Sequence, residues 1–279
     1  MTEPGHLAAL YNATEIILWV EDLVTAAYLR ELWGHDPLLK FYIGGGHETL
    51  KAVVEDARRS GRRGLFGIRD RDFGPTNRPR WSSPGEIQFF VLETFEVECF
   101  LLDPAALAAC RLNTGKRSEA EIRARLDGRA GELLWWMACR RVIAQLREAR
   151  HQAFPAHPKR NRINSREAAE KVLLENDWVK KTVPGLPGTV TAERLCDALT
   201  QAHAYYNGHH VAGTWPGVFS GKELVGELMS WVWTRRRPGD KNTAGEDLAK
   251  TVAQAQRGAG RVPAEMVELH TAIVARRLA

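Results

Sequence analysis

The 279-residue sequence has no apolar run approaching the roughly 20 residues that cross a bilayer as a helix, which argues against a membrane-spanning protein. Its opening residues (MTEPGHLAALYNATE) lack a basic start followed by an apolar core, so a signal peptide is not expected and a cytoplasmic location is. Cysteine is scarce. Cys99, Cys110, Cys139 and Cys196 lie far apart and form no CxxC pair, which argues against a zinc module or a disulfide framework and leaves buried thiols. Internal repeats and low-complexity tracts are missing as well. There is no ATPase phosphate loop: Gly217–Lys222 (GVFSGK) has one residue too few between its glycines and no Ser or Thr after Lys222. Neither charge sign dominates, because the formal net charge is only +5. The charge is uneven, however. Carboxylates cluster around apolar segments through residue 110, whereas Pro158–Arg166 and Arg235–Lys241 are basic, a distribution that permits contact with a polyanion.

A 44% hydrophobic fraction and this length suit one domain with a large appendage, or two domains. The first hundred residues alternate between strand-like and helix-like patterns. Glu15–Val20 reads as a buried strand, and Leu23–Trp33 as an amphipathic helix stopped by Gly34. Leu38–Ile43 is a second strand ended by Gly44-Gly45-Gly46, and Glu48–Ser60 a second helix. Gly64–Ile68 is a third strand, running into Asp70-Arg71-Asp72, and after the loop Gly74–Gly85 a fourth strand follows at Ile87–Leu92. This order predicts an α/β fold with a mostly parallel, helix-covered sheet. From Pro104 onward helical patterns dominate: Pro104–Cys110, Ser118–Leu126, Gly131–Gln152, Arg166–Asn176, Ala192–Ala204, Gly221–Trp233, Glu246–Gln256 and Pro263–Leu278. The expected organisation is an α/β domain over 1–103 followed by an all-α extension over 104–279.

The chemistry is expected where strands end. Glu21 closes the first strand, and Asp70 and Asp72 close the third, at the sheet edge where open α/β folds bind ligands. If the chain stays extended through Asp70-Arg71-Asp72, the period of two turns both aspartates to one side and Arg71 away. Clustered carboxylates repel unless a cation or protons intervene, and hard oxygen donors select Mg²⁺ or Mn²⁺, which suits phosphoryl transfer. The plainer readings are a glutamate favoured by a helix N-terminus and Asp22 as the N-cap of the first helix. His209-His210 reads as part of an aromatic-rich loop rather than a zinc site. Trp135-Trp136 and Trp231/Trp233 read as core or interface residues, since stacking on bases would require exposure.

The combination of WVED, GGG and IRDRD resembles the TOPRIM domain of topoisomerases, bacterial primases and OLD-family nucleases, over roughly residues 15–103. The family often has Gly after its glutamate, where this chain has Asp22. Leu92–Leu101 (LETFEVECFL) is similar to the segment that follows the DxD in OLD-like members, with Glu98 in the matching place and Glu93 and Glu96 in reserve. The resemblance implies metal ligation by Glu21, Asp70, Asp72 and Glu98, and it matches Lys222 to a lysine beyond the acids. TOPRIM with a helical extension and no ATPase resembles the effectors of PARIS-type antiphage systems. That implies a toxic, Mg²⁺- or Mn²⁺-dependent endonuclease, controlled by a separate ABC-type ATPase and cutting tRNA or DNA. Apolar helices also permit a homodimer. The alternative is a degenerate TOPRIM module serving as a protein- or nucleic-acid-binding scaffold. A primase or topoisomerase subunit is disfavoured by the missing zinc module and the lack of a context for a transesterifying tyrosine.

Overall fold

A computed structural model describes residues 16–59, 61, 64–74, 89–150, 158–160, 163–182, 184, 190–232 and 243–278. Four parallel strands make one sheet: β1 (Ile16–Val20), β2 (Leu39–Ile43), β3 (Leu65–Arg69) and β4 (Phe89–Val91), in the order β2-β1-β3-β4. Central β1 runs beside β2 with Ile16 opposite Leu39, and beside β3 with Leu18 opposite Phe66. All five β1 residues are buried, as an apolar run between two neighbours must be.

Helices α1 (Leu23–Leu32) and α2 (His47–Arg59) follow β1 and β2. Asp22 starts α1 by accepting a hydrogen bond from Thr25 N at 2.8 Å, so it is the N-cap. One sheet face is closed by α2, whose Leu50, Val54 and Ala57 pack with Ile17, Trp19, Leu65 and Phe89. By the two-residue strand period Ile16, Leu18 and Val20 point the opposite way, and they are buried as well.

After β4 come a 3-10 helix (Val97–Leu102) and α3 (Pro104–Ala109), the latter capped by Asp103. Among the described residues the further α-helices are α4 (Glu119–Arg150), α5 (Arg166–Glu175), α6 (Asp177–Thr182), α7 (Ala192–Val211), α8 (Gly221–Val232), α9 (Thr243–Gly258) and α10 (Ala264–Leu278), with a 3-10 turn at Trp215–Gly217. The fold class is therefore the expected one, a parallel α/β sheet with a helical extension. Two helices expected over Ser118–Leu126 and Gly131–Gln152 are instead the single α4. Gly128 and Gly131 cost it only about 1 kcal/mol each, and a Cβ at Gly131 would crowd the His210 ring at 3.3 Å. Likewise α7 runs on to Val211 through the stretch read as an aromatic loop. The basic segment Arg235–Lys241, Trp233 and most of the loop after Gly74 lie outside the described residues.

By compactness the chain divides into two units, one made of Met1–Ile122 with Gly221–Ala279, the other of Arg123–Ser220. In the first, α9 packs along α1: Tyr28 donates its hydroxyl hydrogen to Gln256 Oε1 at 2.8 Å, and Gln256 Nε2 donates to the Phe100 carbonyl at 3.0 Å. In the second, Trp136 is buried and donates Nε1–H to the Pro158 carbonyl at 2.8 Å, and Trp215 donates to Asp127 Oδ1 at 2.7 Å.

Candidate metal centre

The C-terminal edge of the sheet gathers acids from three strand exits. β1 leads to Glu21 and Asp22, β3 to Asp70, and β4 to Glu96 and Glu98. Asp70, Glu96 and Glu98 come together, each offering a carboxylate oxygen within 4.8 Å of the others. Their burial is deep: Glu96 and Glu98 are 4% and 5% exposed, and the Asp70 side chain is 10% exposed.

Local structure fixes each one. Glu96 is extended (φ −154°, ψ 163°) just before the 3-10 helix, and Glu98 lies in that helix's first turn. Asp70 Oδ1 accepts from Val97 N at 3.1 Å, tying the end of β3 to the same turn. The turn is held from behind by Arg71, which is 4% exposed and donates Nε–H to the Glu93 carbonyl at 2.5 Å and Nη1–H to the Gly74 carbonyl at 3.3 Å. From α10, the Glu265 carboxylate accepts from Glu93 N, from Thr94 N at 3.3 Å and from Thr94 Oγ1 at 2.8 Å.

The N-terminus of α8 docks on this turn. Lys222 N donates to Glu96 Oε1 at 2.5 Å, which satisfies one of the helix's open first-turn donors. The approach requires glycine at 221, because a Cβ there would sit 2.5 Å from Cys99 N and 2.6 Å from the Glu98 carbonyl carbon. Lys222 Nζ consequently stands among carboxylates: 3.6 Å from Glu98 Oε1, 3.7 Å from Asp70 Oδ2 and 3.9 Å from Asp22 Oδ2. All three separations exceed hydrogen-bond length, so the attraction is Coulombic.

Electrostatics follow from crowding and burial. Burial, then the Glu98 charge, holds the Asp70 carboxyl well above its usual range. Glu98 is pushed up to about 8 by burial, which the Lys222 ammonium opposes and Glu96 reinforces. Glu21 is raised by burial and next by Asp72. Burial works against the Lys222 ammonium, but Glu98, Asp70, Glu96 and Asp22 together outweigh it and keep the lysine charged.

The donor set fits a hard divalent cation. It is all oxygen, three carboxylates gathered within 4.8 Å of one another, the hard-donor chemistry that Mg²⁺ or Mn²⁺ takes. One oxygen, Glu98 Oε2, is buried without a hydrogen-bond partner, the kind of orphan that a bound ion would satisfy.

Of the residues picked from the sequence, Asp70 and Glu98 come together within 4.8 Å, and the Lys222 ammonium stands 3.7 and 3.6 Å from them. Glu21 is half-buried beside this group, close enough to raise Asp70 further. Asp72 lies beside Glu21 and outside the Asp70–Glu96–Glu98 group: it is exposed, adopts φ +51°, and its N–H donates to the Phe95 carbonyl at 2.9 Å. The extended DxD is thus corrected, since β3 ends at Arg69 and the chain turns, carrying Asp72 toward Glu21 and burying Arg71. Glu96, held in reserve on the sequence, takes the third place. Its signal was the alternation of Glu96 and Glu98 with apolar neighbours. Gly221, Arg71 and Glu265 had no local signal. His209 and His210 are helical, with His209 Nδ1 2.8 Å from Thr214 Oγ1 and His210 Nε2 2.9 Å from the Asp127 carbonyl, which leaves them in no metal cluster among the described residues.

No family model matches the chain, and no curated protein matches it either.

Proposed function

We propose that this protein is a Mg²⁺- or Mn²⁺-dependent endonuclease of TOPRIM type that hydrolyses nucleic-acid phosphodiester bonds. The observation that carries the reading is the convergence of Asp70, Glu96 and Glu98 at the C-terminal edge of a parallel sheet, with one Glu98 oxygen buried and unsatisfied. When bound, a divalent ion supplies neutralisation of the phosphodiester and activation of a water. Asp70 and Glu98 are the ligands on this reading, with Glu96 as a third and Glu21 on their flank. Glu96 also anchors α8, and through it Lys222, whose ammonium is available for charge developing on phosphoryl oxygens. Glu21, its carboxyl raised by burial and next by Asp72, stands on the flank of these ligands.

The resemblance to PARIS-type effectors extends the proposal: a toxic antiphage enzyme, kept in check by a separate ABC-type ATPase, acting in the cytoplasm on tRNA or DNA. No described helix is long and apolar enough to cross a membrane, which is compatible with that setting. The scaffold reading has one observation in its favour, namely that Lys222 already neutralises part of the acid cluster. The two separate by assay. The nuclease reading expects purified protein to cut labelled RNA or DNA with Mg²⁺ or Mn²⁺, to stop in EDTA, and to lose activity in Glu98→Gln and Asp70→Asn. Absence of cleavage under every metal condition, with partner-free toxicity unaffected by Glu98→Gln, would leave the scaffold.

A further inference from the structure

The unit Arg123–Ser220 carries the positive charge of the protein. It holds 15 Lys and Arg against nine Asp and Glu, a net of +6, while the rest of the chain sums to −1. A strand of nucleic acid is repelled by an acid cluster until a cation is bound, so affinity must come from surface of the opposite sign.

Within this unit the second half of α7 is peculiar in composition. No Asp or Glu occurs between Asp197 and Glu223, although the stretch contains three histidines and two tyrosines. Leu195, Leu199, Ala202 and Tyr206 form the buried stripe of α7. The opposite side is exposed: past Glu193 and Asp197 in the first half of the helix it bears small uncharged residues, Thr200, Ala204 and Gly208, over which another backbone can come close.

The two borders of that exposed side carry π systems joined to α4. On one border His203 stacks on Trp135, with ring centroids 3.7 Å apart and planes 17° from parallel. On the other, the Arg141 guanidinium lies 4.2 Å from the centre of the Tyr205 ring, and Tyr205 meets His209 edge-on at 4.6 Å. Trp135, Arg141, His203 and Tyr205 are all half-buried: their packed sides hold them in place and part of each stays open. Arg141 is also hydrogen-bonded to the buried Tyr206 hydroxyl. Preformed aromatic and guanidinium planes are what stacking bases require, and the guanidinium adds a positive charge beside them.

We propose that this face of α7, with Trp135 and Arg141 of α4 at its borders, binds an unpaired stretch of nucleic acid, its bases extending the His203–Trp135 and Tyr205–Arg141 stacks. The inference rests on the nuclease reading for the purpose of the bound strand, and it adds that single-stranded regions are what the enzyme recognises. Binding itself needs no metal.

The test uses the full chain in EDTA, with fluorescein-labelled oligouridylate, oligothymidylate and a duplex of matching length as probes, read by anisotropy and by quenching of tryptophan fluorescence. Unpaired probes are expected to bind more tightly than the duplex, and the preference between the first two tells RNA from DNA. His203→Ala and Tyr205→Ala should each weaken binding about ten-fold. Arg141→Gln should lower the salt slope by about one. Trp135→Phe, which keeps a ring, should bind nearly as wild type. Lack of binding by the wild-type chain at low salt, or wild-type affinity in His203→Ala, Tyr205→Ala and Arg141→Gln proteins that are folded by circular dichroism, overturns the inference. So does a change in sedimentation rather than in binding, which would make the face a contact between copies. Cleavage assays with Mn²⁺ on the same proteins keep the two readings apart. Intact binding with no metal-dependent cleavage by the wild type sinks the nuclease alone, whereas cleavage indifferent to the α7 variants sinks this face alone.

Discussion

Replacing Lys222 by methionine keeps most of the side-chain stem and removes one positive charge from among the acids. Its ammonium stands 3.6, 3.7 and 3.9 Å from oxygens of Glu98, Asp70 and Asp22. Unit charges about 4 Å apart interact by about 1 kcal/mol in water and about 4 kcal/mol in a medium of dielectric 20. The Lys222 side chain is 48% exposed, so solvent screening selects the lower figure, about 1 kcal/mol for each pair. Without metal the acids can respond by keeping protons, which limits the loss of stability to roughly 1–2 kcal/mol. With metal the sign reverses, because a divalent ion no longer shares the site with an ammonium. The same arithmetic gives a gain of about 1–3 kcal/mol, or about five- to 150-fold in Kd. Calorimetric titration with Mn²⁺ and urea unfolding in EDTA read both quantities. Lys222→Met should bind Mn²⁺ more tightly, unfold at lower urea in EDTA, and cleave more slowly. Weaker or unchanged Mn²⁺ binding together with wild-type stability in EDTA would refute the idea that Lys222 is an internal counter-ion of the cluster.

Gly221→Ala would drive a methyl group into the backbone of Cys99 and Glu98, which cannot yield as a flexible side chain would. A cost of about 1–3 kcal/mol in urea unfolding is expected, with weaker coupling of Lys222 to the acids; wild-type stability would show that α8 is not docked this closely. The pH dependence rests on Glu98, whose carboxyl stands at about 8 against an ordinary value of 4.5. A raised acid contributes its full stability below about pH 4.5 and loses it progressively as pH rises to about 8, because ionisation is then costlier in the folded state. In EDTA the urea midpoint should therefore fall across that window, with Asp70 acting in the same direction. Glu98→Gln should flatten the decline and raise stability at about pH 8; an unchanged slope in the variant would remove Glu98 from a buried, crowded site.

The strands and the acids at their ends were legible because both depend on local pattern. Five consecutive apolar residues make β1, and a glutamate or aspartate soon after β1, β3 and β4 needs no tertiary knowledge to be noticed. What escaped depends on geometry set by distant segments. Whether Asp72 or Glu96 joins Asp70 turns on where β3 stops. That is fixed by the Asp72 N–H reaching the Phe95 carbonyl and by Arg71 reaching Glu93, contacts across more than twenty residues. Gly221 looks like any helix-start glycine until the 3-10 helix is laid against it. The length of α7 was hidden for the same reason. Tyr205–Val211 has the glycine and histidines of a loop, yet His210 bonds to Asp127 and Tyr206 packs on Phe219.

The most direct test is whether Asp70, Glu96 and Glu98 hold a divalent ion. Electron paramagnetic resonance of Mn²⁺ titrated into the purified chain should show the free-ion signal suppressed until a saturating stoichiometry is reached. It should show that suppression greatly reduced in Asp70→Asn and Glu98→Gln, and little altered in Asp72→Asn. A free-ion signal that follows total Mn²⁺ from the first addition, or binding that survives loss of both Asp70 and Glu98, would contradict the metal centre.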